Sequence, residues 1–245
     1  MRIFLDVGAH DGETLDVALD PKWGFDRIDS FEPASTRLKT LRKFRHKRLA
    51  VHDFGLSSQT KNTTLYGAGL LGGSIYSEKN YLDVKATSYT EEIKLQSASE
   101  WLSENTADDD EVFLKLNCEG SEADILENLI EEKLIFRVKS IYVDFDIRKV
   151  PGQAHRQKEI EDKLKSLQVD FQTPDSLGFA ANGGVEKWLE LNLKPIKAPK
   201  VKTIYFKLKI YRPIYLTLKI IVLSYFPKQI SSAIVKQYGK FKSQL

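Results

Sequence analysis

Short apolar runs and runs with helical spacing alternate along most of the chain. Apolar runs that end at a glycine, a proline or an acidic turn predict buried strands, and apolar residues three or four apart predict helices packed on one side. The predicted strands are 2–7, 27–31, 49–54, 112–116 and 140–145. The predicted helices are 14–19, 35–45, 97–105, 121–133 and 157–167. This alternation predicts an α/β fold, with a mostly parallel sheet and helices on both faces.

Two segments lack a regular pattern. Residues 57–92 contain four closely spaced glycines, at positions 67, 69, 72 and 73, and we expect a hairpin and a mobile loop there. Residues 173–184 are also irregular. Because neither segment carries a decodable pattern, the identity of a substrate that they would shape cannot be read from them.

Charge divides the 245-residue chain into an acidic body and a basic end. The first 190 residues contain all 34 acidic residues and 25 basic ones, a net charge of −9, whereas the last 55 carry +12. The hydrophobic content of 42% is typical of a protein that buries a full core. We therefore predict one domain over residues 1–190 and a basic, aromatic-rich extension over residues 191–245.

The basic extension has no acidic residue after Lys200, and its most apolar stretch, 214–226, is too short to span a bilayer. We expect a helical extension, which either lies in an anionic membrane interface or packs on its own domain or on a second subunit. The acidic body argues against nucleic-acid binding. The single cysteine, Cys118, cannot form an internal disulfide, and no targeting signal opens the chain, so a cytoplasmic or peripheral membrane protein is expected.

Unusual residues fall where the predicted strands end, which is the edge where parallel sheets bind ligands. The first such place is the segment 6–12, DVGAHDG. Its two glycines permit a tight turn, and the helix that follows offers free N–H groups. A nicotinamide-binding loop would have three glycines in the order GxGxxG. The carboxylate of Asp6 would repel a phosphate and attract an amino group.

Two further motifs lie at the same predicted edge. Glu32 ends the second strand, where a carboxylate can accept hydrogen bonds from both hydroxyls of a ribose. The segment 114–122, LKLNCEGSE, delivers Asn117 and Glu119 to the ligand edge before the next helix begins. Alone, the loop could also be a glycine-assisted turn and Glu32 a solvated acid at a strand end, but together the motifs indicate a nucleoside-containing cofactor.

In this order and spacing, the segments FLDVGAHDGETL (4–15), SFEP (30–33) and LKLNCEGSE (114–122) resemble the FkbM methyltransferase domain. The resemblance covers residues 2–150. It implies a Rossmann-like class I methyltransferase fold, S-adenosyl-L-methionine as cofactor, and O-methylation of a sugar or another small acceptor. It also implies cofactor-binding residues: Asp6, Gly8, His10 and Gly12 around the methionine end, Glu32 at the ribose, and Asp53, Phe54, Gly55 and Leu56 beside the adenine.

Methyl transfer to a hydroxyl requires a group that takes the proton. The carboxylates and the histidine at the predicted edge are Glu119, Asp144, Asp146 and His10. We favour Glu119 and Asp144, which emerge where the fourth and fifth strands should end. Asn117 stands where the family usually has aspartate. Asparagine keeps the hydrogen bonding but cannot act as a base. No cluster of His, Cys and carboxylates has the spacing of metal ligands, so no metal is expected.

Three functions therefore stay open. The first is an S-adenosyl-L-methionine-dependent O-methyltransferase that acts on a hydroxyl of a saccharide or another small acceptor, including a membrane-associated glycan. The second is a catalytically silent module that keeps the cofactor pocket, which Asn117 supports. The third is an NAD(P)-binding oxidoreductase, which the two-glycine loop disfavours.

Overall fold

The computed structural model describes residues 1–80, 88–178 and 183–196 with their side chains, and the backbone of residues 202–210 and 214–222. The chain divides into two compact units, residues 1–195 and 196–245. The first unit contains the α/β domain. In the second unit the described backbone forms two strands.

Strands and helices follow each other along the first unit. The strands are β1 (Arg2–Val7), β2 (Arg27–Phe31), β3 (Leu49–His52), β4 (Gly55–Ser57), β5 (Lys61–Tyr66), β6 (Thr90–Ser97), β7 (Glu111–Leu116), β8 (Val138–Val143) and β9 (Phe171–Gln172). The helices are α1 (Leu15–Ala18), α2 (Ser35–Leu41), α3 (Ala98–Asn105), α4 (Ser121–Glu131), α5 (Ala154–Ser166), α6 (Pro174–Leu177) and α7 (Gly184–Asn192).

The central sheet has the strand order β3-β2-β1-β7-β8-β9, and all of its pairings are parallel. The chain winds outward from β1 to β3 and then returns to the other side of β1 with β7. This reversal between β1 and β7 is the topological switch point at which doubly wound sheets bind their ligands. The architecture is the predicted Rossmann-like methyltransferase fold.

Helices cover both faces of this sheet, because its strands alternate apolar side chains toward each face. On one face, Ile3, Leu5 and Leu114 pack against apolar residues of α3, α4 and α5. On the other face, Phe4 and Phe113 belong to a cluster with apolar residues of α1, α2 and α7. A strand buried on both sides reads as a continuous apolar run, and this is why β1 and β7 could be located from the sequence.

The first unit also contains a second sheet of three strands. In it β6 lies between β4, which runs parallel to it, and β5, which runs antiparallel. The hairpin predicted within residues 57–92 is confirmed as the β5–β6 pair, while residues 81–87 of the predicted loop lie outside the described residues. Leu65, Ile93 and Leu95 of this hairpin form a small apolar cluster with Ala34 at the start of α2.

Most predicted elements of the central sheet are confirmed, with shifts at their ends. The bounds of β1 and β2 match the prediction. The third strand ends at His52 rather than at Phe54, whose ring packs against Phe31 with the centroids 5.7 Å apart. Helix α2 ends at Leu41, three residues before Phe44, which covers Gly12. The pattern missed α7 entirely, although Val185, Trp188 and Leu189 are spaced for a helix and are buried.

The predicted helical character of the basic extension is wrong over the described part. Its backbone forms an antiparallel hairpin of β10 (Lys202–Ile210) and β11 (Ile214–Val222). The sequence explains this, because apolar residues recur at every second position, which is a strand period, and β-branched residues are frequent. The register pairs apolar positions with each other, such as Phe206 with Leu218 and Leu208 with Leu216. Residues 223–226 of the predicted helix lie outside the described residues, and contact of residues 200–245 with a membrane stays a prediction.

None of the helices within the described residues is both long enough and apolar enough to cross a membrane.

Candidate functional site

A cavity of about 260 Å³ lies at the carboxyl edge of the central sheet. Its walls come from the residues that follow β1, β2, β7 and β8, from β5 and β6, and from the glycine-rich segment 69–75. Eight of the predicted site residues line it: Gly8, His10, Glu32, Gly55, Leu56, Asn117, Glu119 and Asp144. The fold therefore brings three motifs that are distant in sequence to one cavity.

The turn after β1 needs glycine at position 8 because it lies against the end of β7. Gly8 has a φ of 75°, and a β-carbon there would lie 1.9 Å from the carbonyl oxygen of Asn117. The backbone N–H of Asn117 in turn donates to the carbonyl oxygen of Val7 at 3.1 Å. Gly12 supports the same turn from behind the cavity wall, where a β-carbon would lie 2.8 Å from the ring of Phe44.

Asp6 lies behind the cavity wall rather than on it. Its side chain is buried and forms an ion pair of 2.9 Å with Lys115, its register partner on β7. Lys115 also donates to the carbonyl oxygen of Gly8 at 2.8 Å. The negative charge predicted to attract an amino group is thus neutralised, and the pair instead fixes the turn that carries Gly8.

Lys115 is a site residue that the sequence reasoning missed. It lines the cavity and is 5% exposed. The available signal was a lysine inside an otherwise apolar strand, since a buried lysine requires a partner of opposite charge. Tyr142, the register partner of Lys115 on β8, also lines the cavity, and its buried hydroxyl has no hydrogen-bond partner among the described residues.

Glu32 and His10 are joined through the backbone. The Glu32 carboxylate is 7% exposed and accepts hydrogen bonds from the N–H of His10 at 2.9 Å and from the N–H of Ala34 at 2.8 Å. Each oxygen takes one of these donors, so each keeps a lone pair for a ligand. Burial raises the pKa of Glu32, and the two backbone donors oppose this shift.

The His10 side chain extends toward acidic neighbours. Its Nδ1 lies 2.9 Å from a carboxylate oxygen of Glu13 and 3.8 Å from Asp11. The ligand atoms of these three residues lie within 4.8 Å of one another, a spacing that a metal ion could bridge. However, Asp11 already forms an ion pair of 2.6 Å with Arg37, which competes with a metal ion for its carboxylate.

The predicted adenine wall is only partly present. Gly55 and Leu56 line the cavity, but Asp53 and Phe54 do not. Asp53 is 64% exposed at its side chain and pairs with Arg42 on the surface, while Phe54 packs against the core. Residues on β5 and β6 supply the remaining apolar surface, namely Leu65, Ile93 and Leu95. No sequence motif marked them, because their position depends on the hairpin folding over the sheet edge.

The two carboxylates predicted as bases lie in different surroundings. Asp144 lines the cavity, and its nearest cation is Arg148 at 3.9 Å. Burial raises the pKa of Asp144, as does the neighbouring Asp146 carboxylate. Asp144 is thus a carboxylate with little direct pairing and an elevated proton affinity, which suits a group that receives a proton.

Glu119 belongs to a network of alternating charges in which Lys79 and Asp146 are buried. Its carboxylate pairs with Lys79, which is 3% exposed at its side chain and also contacts Asp146 at 3.0 Å. Lys149 completes the network with a contact of 2.5 Å to Asp146. Burial raises the pKa of Glu119, with a further contribution from Asp146, and Lys79 opposes the shift. The pKa of both carboxyl groups is raised, but Lys79 holds the carboxylate of Glu119, so Glu119 is less free than Asp144 to contact a substrate hydroxyl.

Glu122 stabilises the turn into α4. It is fully buried, and its carboxylate accepts hydrogen bonds from the N–H groups of Cys118 and Gly120, both at 2.9 Å. Gly120 is the N-terminal capping position of α4 and has no side chain that could cap the helix. The cap is therefore a side chain inside the helix that reaches back to the preceding turn.

Glu122→Gln is expected to abolish a pH dependence of stability. Burial raises the pKa of Glu122 to about 7 from 4.5, so the folded state holds its proton more tightly than the unfolded state does. The resulting stabilisation is present below the unfolded pKa and disappears as the pH rises through the folded pKa. At about 1.4 kcal/mol per unit, the wild type should lose roughly 3 kcal/mol between pH 4.5 and 7.5 through this group.

Urea unfolding of wild type and Glu122→Gln at several pH values measures this change. The difference in the free energy of unfolding between the two proteins should shift in favour of the variant as the pH rises. Glu131→Gln, a change at an exposed residue of the same helix, serves as the control. Parallel stability profiles for wild type and Glu122→Gln would contradict the prediction.

Comparison with known proteins identifies the family of the chain. The model of the FkbM methyltransferase domain matches residues 6–172, which is more than half of the chain. Among solved structures, the crystal structure of Methyltransferase FkbM from Methylobacillus flagellatus KT is similar, with 21% identity and a TM-score of 0.35. That similarity covers 54% of this chain and 30% of the other, too little to support an argument about the site. The comparison with curated proteins finds no match.

The matched range begins at Asp6, in the turn after β1, and ends in β9, the outer strand of the central sheet. It contains the first turn, Glu32, and the segment from Asn117 to Glu122 that together form the cavity edge. The chain therefore belongs to the FkbM methyltransferase domain family.

Proposed function

We propose that this protein is an S-adenosyl-L-methionine-dependent O-methyltransferase that acts on a hydroxyl of a saccharide or another small acceptor. The proposal rests on one observation: two carboxylates in different surroundings, Glu32 and Asp144, line the same cavity. Glu32 is buried and has one backbone donor on each oxygen, whereas Asp144 has only a distant cation and a raised pKa. The first suits a ribose diol and the second suits proton removal.

The residues present fit the cofactor. Glu32 can accept hydrogen bonds from two ribose hydroxyls, and the apolar surface of Leu56 and Leu95 can contact an adenine ring. The buried Nε2 of His10 has no partner among the described residues and borders the same cavity. When bound, S-adenosyl-L-methionine would supply a methyl group on a positively charged sulfur, and the acidic residues around His10 suit a ligand with cationic groups.

The chain's own contribution to the reaction is positioning and proton removal. The turn at Gly8, which Lys115 holds in place, and the Glu32 carboxylate orient the cofactor. Correct orientation of two reactants can lower the activation barrier by about 7–11 kcal/mol. Asp144 accepts the proton of the acceptor hydroxyl, which makes the oxygen a better nucleophile. Asn117 cannot take that proton, but its side chain on the cavity wall is available to hydrogen-bond the acceptor.

The alternatives find less support. A dinucleotide cofactor needs free N–H groups in the first turn, yet the N–H of His10 is engaged by Glu32, and Asp11 and Glu13 add negative charge there. A silent module is suggested by Asn117. However, Asp144 keeps an ionisable group on the cavity wall, so the substitution at position 117 does not remove the only candidate base.

Glu32→Ala should weaken binding of S-adenosyl-L-methionine by roughly 1–3 kcal/mol, because it removes a charged hydrogen-bond acceptor. Isothermal titration calorimetry of the purified full chain measures this affinity. Asp53→Asn is the matched control, since Asp53 lies outside the cavity wall, and it should bind like the wild type. If the wild type released or absorbed heat on titration with NAD but not with S-adenosyl-L-methionine, the proposed function would be wrong. Equal affinities in wild type and Glu32→Ala would remove Glu32 from the site.

A further inference from the structure

Two adjacent leucines line the mouth of the cavity and remain exposed. Leu70 is 42% exposed and Leu71 is 84% exposed, and both belong to the cavity wall. We call this pair the apolar lip. Exposed apolar surface that is continuous with a polar cavity marks a place where a ligand can bury it.

The loop that carries the apolar lip is held in place on both sides. Tyr66 and Ser74 exchange two backbone hydrogen bonds of 2.8 and 2.9 Å across its base. The N–H of Leu70 donates to the carbonyl oxygen of Gly67 at 2.9 Å, and Arg37 donates to the carbonyl oxygen of Gly69. Because the loop is already ordered, presenting the leucines to a ligand costs little conformational entropy.

The apolar lip lies next to the end of the cavity assigned to the acceptor. The hydroxyl of Ser74 donates to the carbonyl oxygen of Glu119 at 2.7 Å. A β-carbon at Gly72 would lie 3.9 Å from the carboxylate of Glu119. Glu119 and Asp144 follow neighbouring strands of the sheet, and both line the same cavity as the apolar lip, so an acceptor at Asp144 shares this cavity with the two leucines.

We infer that the acceptor carries an apolar substituent, such as an alkyl or aromatic aglycone, and that Leu70 and Leu71 bind it. The inference rests on the proposed function, because it concerns the acceptor of the same methyl transfer. It makes the apolar lip a determinant of specificity, whereas the transfer chemistry stays with the groups deeper in the cavity. A purely polar acceptor would leave both leucines in water.

A series of alkyl glucosides, from methyl through butyl to hexyl, tests the inference. Each is titrated below its micelle-forming concentration into the full chain saturated with S-adenosylhomocysteine. In the wild type the affinity should rise about two- to fourfold for each added methylene that the lip covers. In Leu70→Ser/Leu71→Ser this dependence on chain length should disappear, while the affinity for S-adenosylhomocysteine stays unchanged. Leu191→Ser, at another exposed leucine, should behave like the wild type.

Other results would overturn the inference in distinguishable ways. The inference of an apolar substituent is wrong if the wild-type affinity does not depend on chain length. It is also wrong if no glucoside binds to the protein loaded with S-adenosylhomocysteine. If instead the double variant abolishes sedimentation with anionic phospholipid vesicles and leaves the chain-length dependence intact, the leucines contact lipid. Failure of S-adenosylhomocysteine itself to bind would reject the proposed function before the glucoside series begins.

Discussion

Lys79→Met is expected to lower the free energy of unfolding by roughly 3–5 kcal/mol, the effect of removing one partner of a buried ion pair. Lys79 and Asp146 are 3% and 4% exposed at their side chains, and Lys79 also neutralises Glu119. Methionine preserves much of the apolar stem of lysine but leaves the buried Asp146 with only Lys149 as a cationic partner, and leaves the half-buried Glu119 without its own. The folded state is destabilised because the buried carboxylate of Asp146 is removed from water without a full cationic partner.

The loss should depend on pH, and this dependence separates the charge effect from a packing effect. Without Lys79 the pKa of Glu119 rises further, because the cation that opposed its burial is gone. The folded variant would therefore keep this proton to a higher pH than the folded wild type does, so its deficit should be smaller at pH 5.5, where both hold the proton, than at pH 8.

Urea unfolding at pH 5.5 and pH 8 measures the deficit. Lys158→Met is the matched control, because Lys158 pairs with Asp162 on the surface, is 80% exposed, and should change stability little. Adding Glu119→Gln to Lys79→Met should restore part of the lost stability. If Lys79→Met proved as stable as the control at both pH values, the buried network would not contribute as inferred.

Asp144→Asn is expected to lower the rate of methyl transfer by about 10²- to 10⁴-fold, the usual contribution of a general base. Asparagine occupies nearly the same volume but cannot accept the proton. The affinity for S-adenosyl-L-methionine should stay close to that of the wild type, because the cofactor residues are unchanged. Transfer of a radiolabelled methyl group to an alkyl glucoside acceptor, compared at saturating cofactor, measures the rate.

Asp175→Asn provides a closely matched control for this change. Both aspartates contact Arg148, at 3.9 Å from Asp144 and 3.4 Å from Asp175, but Asp175 is 80% exposed and does not line the cavity. The wild-type rate should also fall as the pH drops through the raised pKa of Asp144, above the ordinary value of 3.8, and this fall should be missing in Asp144→Asn. Equal rates for wild type and Asp144→Asn would exclude Asp144 as the base.

The parts of the fold that could be predicted are those with strong local patterns. The sequence predicts the bounds of β1 and β2 to the residue, because β1 is a short apolar run that ends at Gly8 and β2 ends at Glu32 and Pro33. The ends of α2 and β3 were not, since Phe44 and Phe54 continue the apolar pattern while the backbone turns away to pack them elsewhere. Periodicity identifies which residues are buried but not the backbone that buries them.

In the basic extension, composition alone predicts the wrong secondary structure. Its content of apolar and basic residues favours a helical extension, although the alternation of apolar residues over 204–210 and 214–222 has a period of two. The described backbone is a hairpin in that register. Charge and hydrophobic content alone do not distinguish a helix from a strand, whereas the spacing does.

The amino-acid sequence by itself determined the sheet domain, the three motifs and the family that they resemble, because each depends on residues that are close together along the chain. Only the tertiary structure decided which motif residues reach the cavity, and it placed Asp6 in a buried pair with Lys115 and Asp53 on the surface. It also brought Lys79 and the leucines at positions 70 and 71 to the site from a segment with no motif. Contacts between residues far apart in sequence arise when several elements pack together, so no local pattern specifies them.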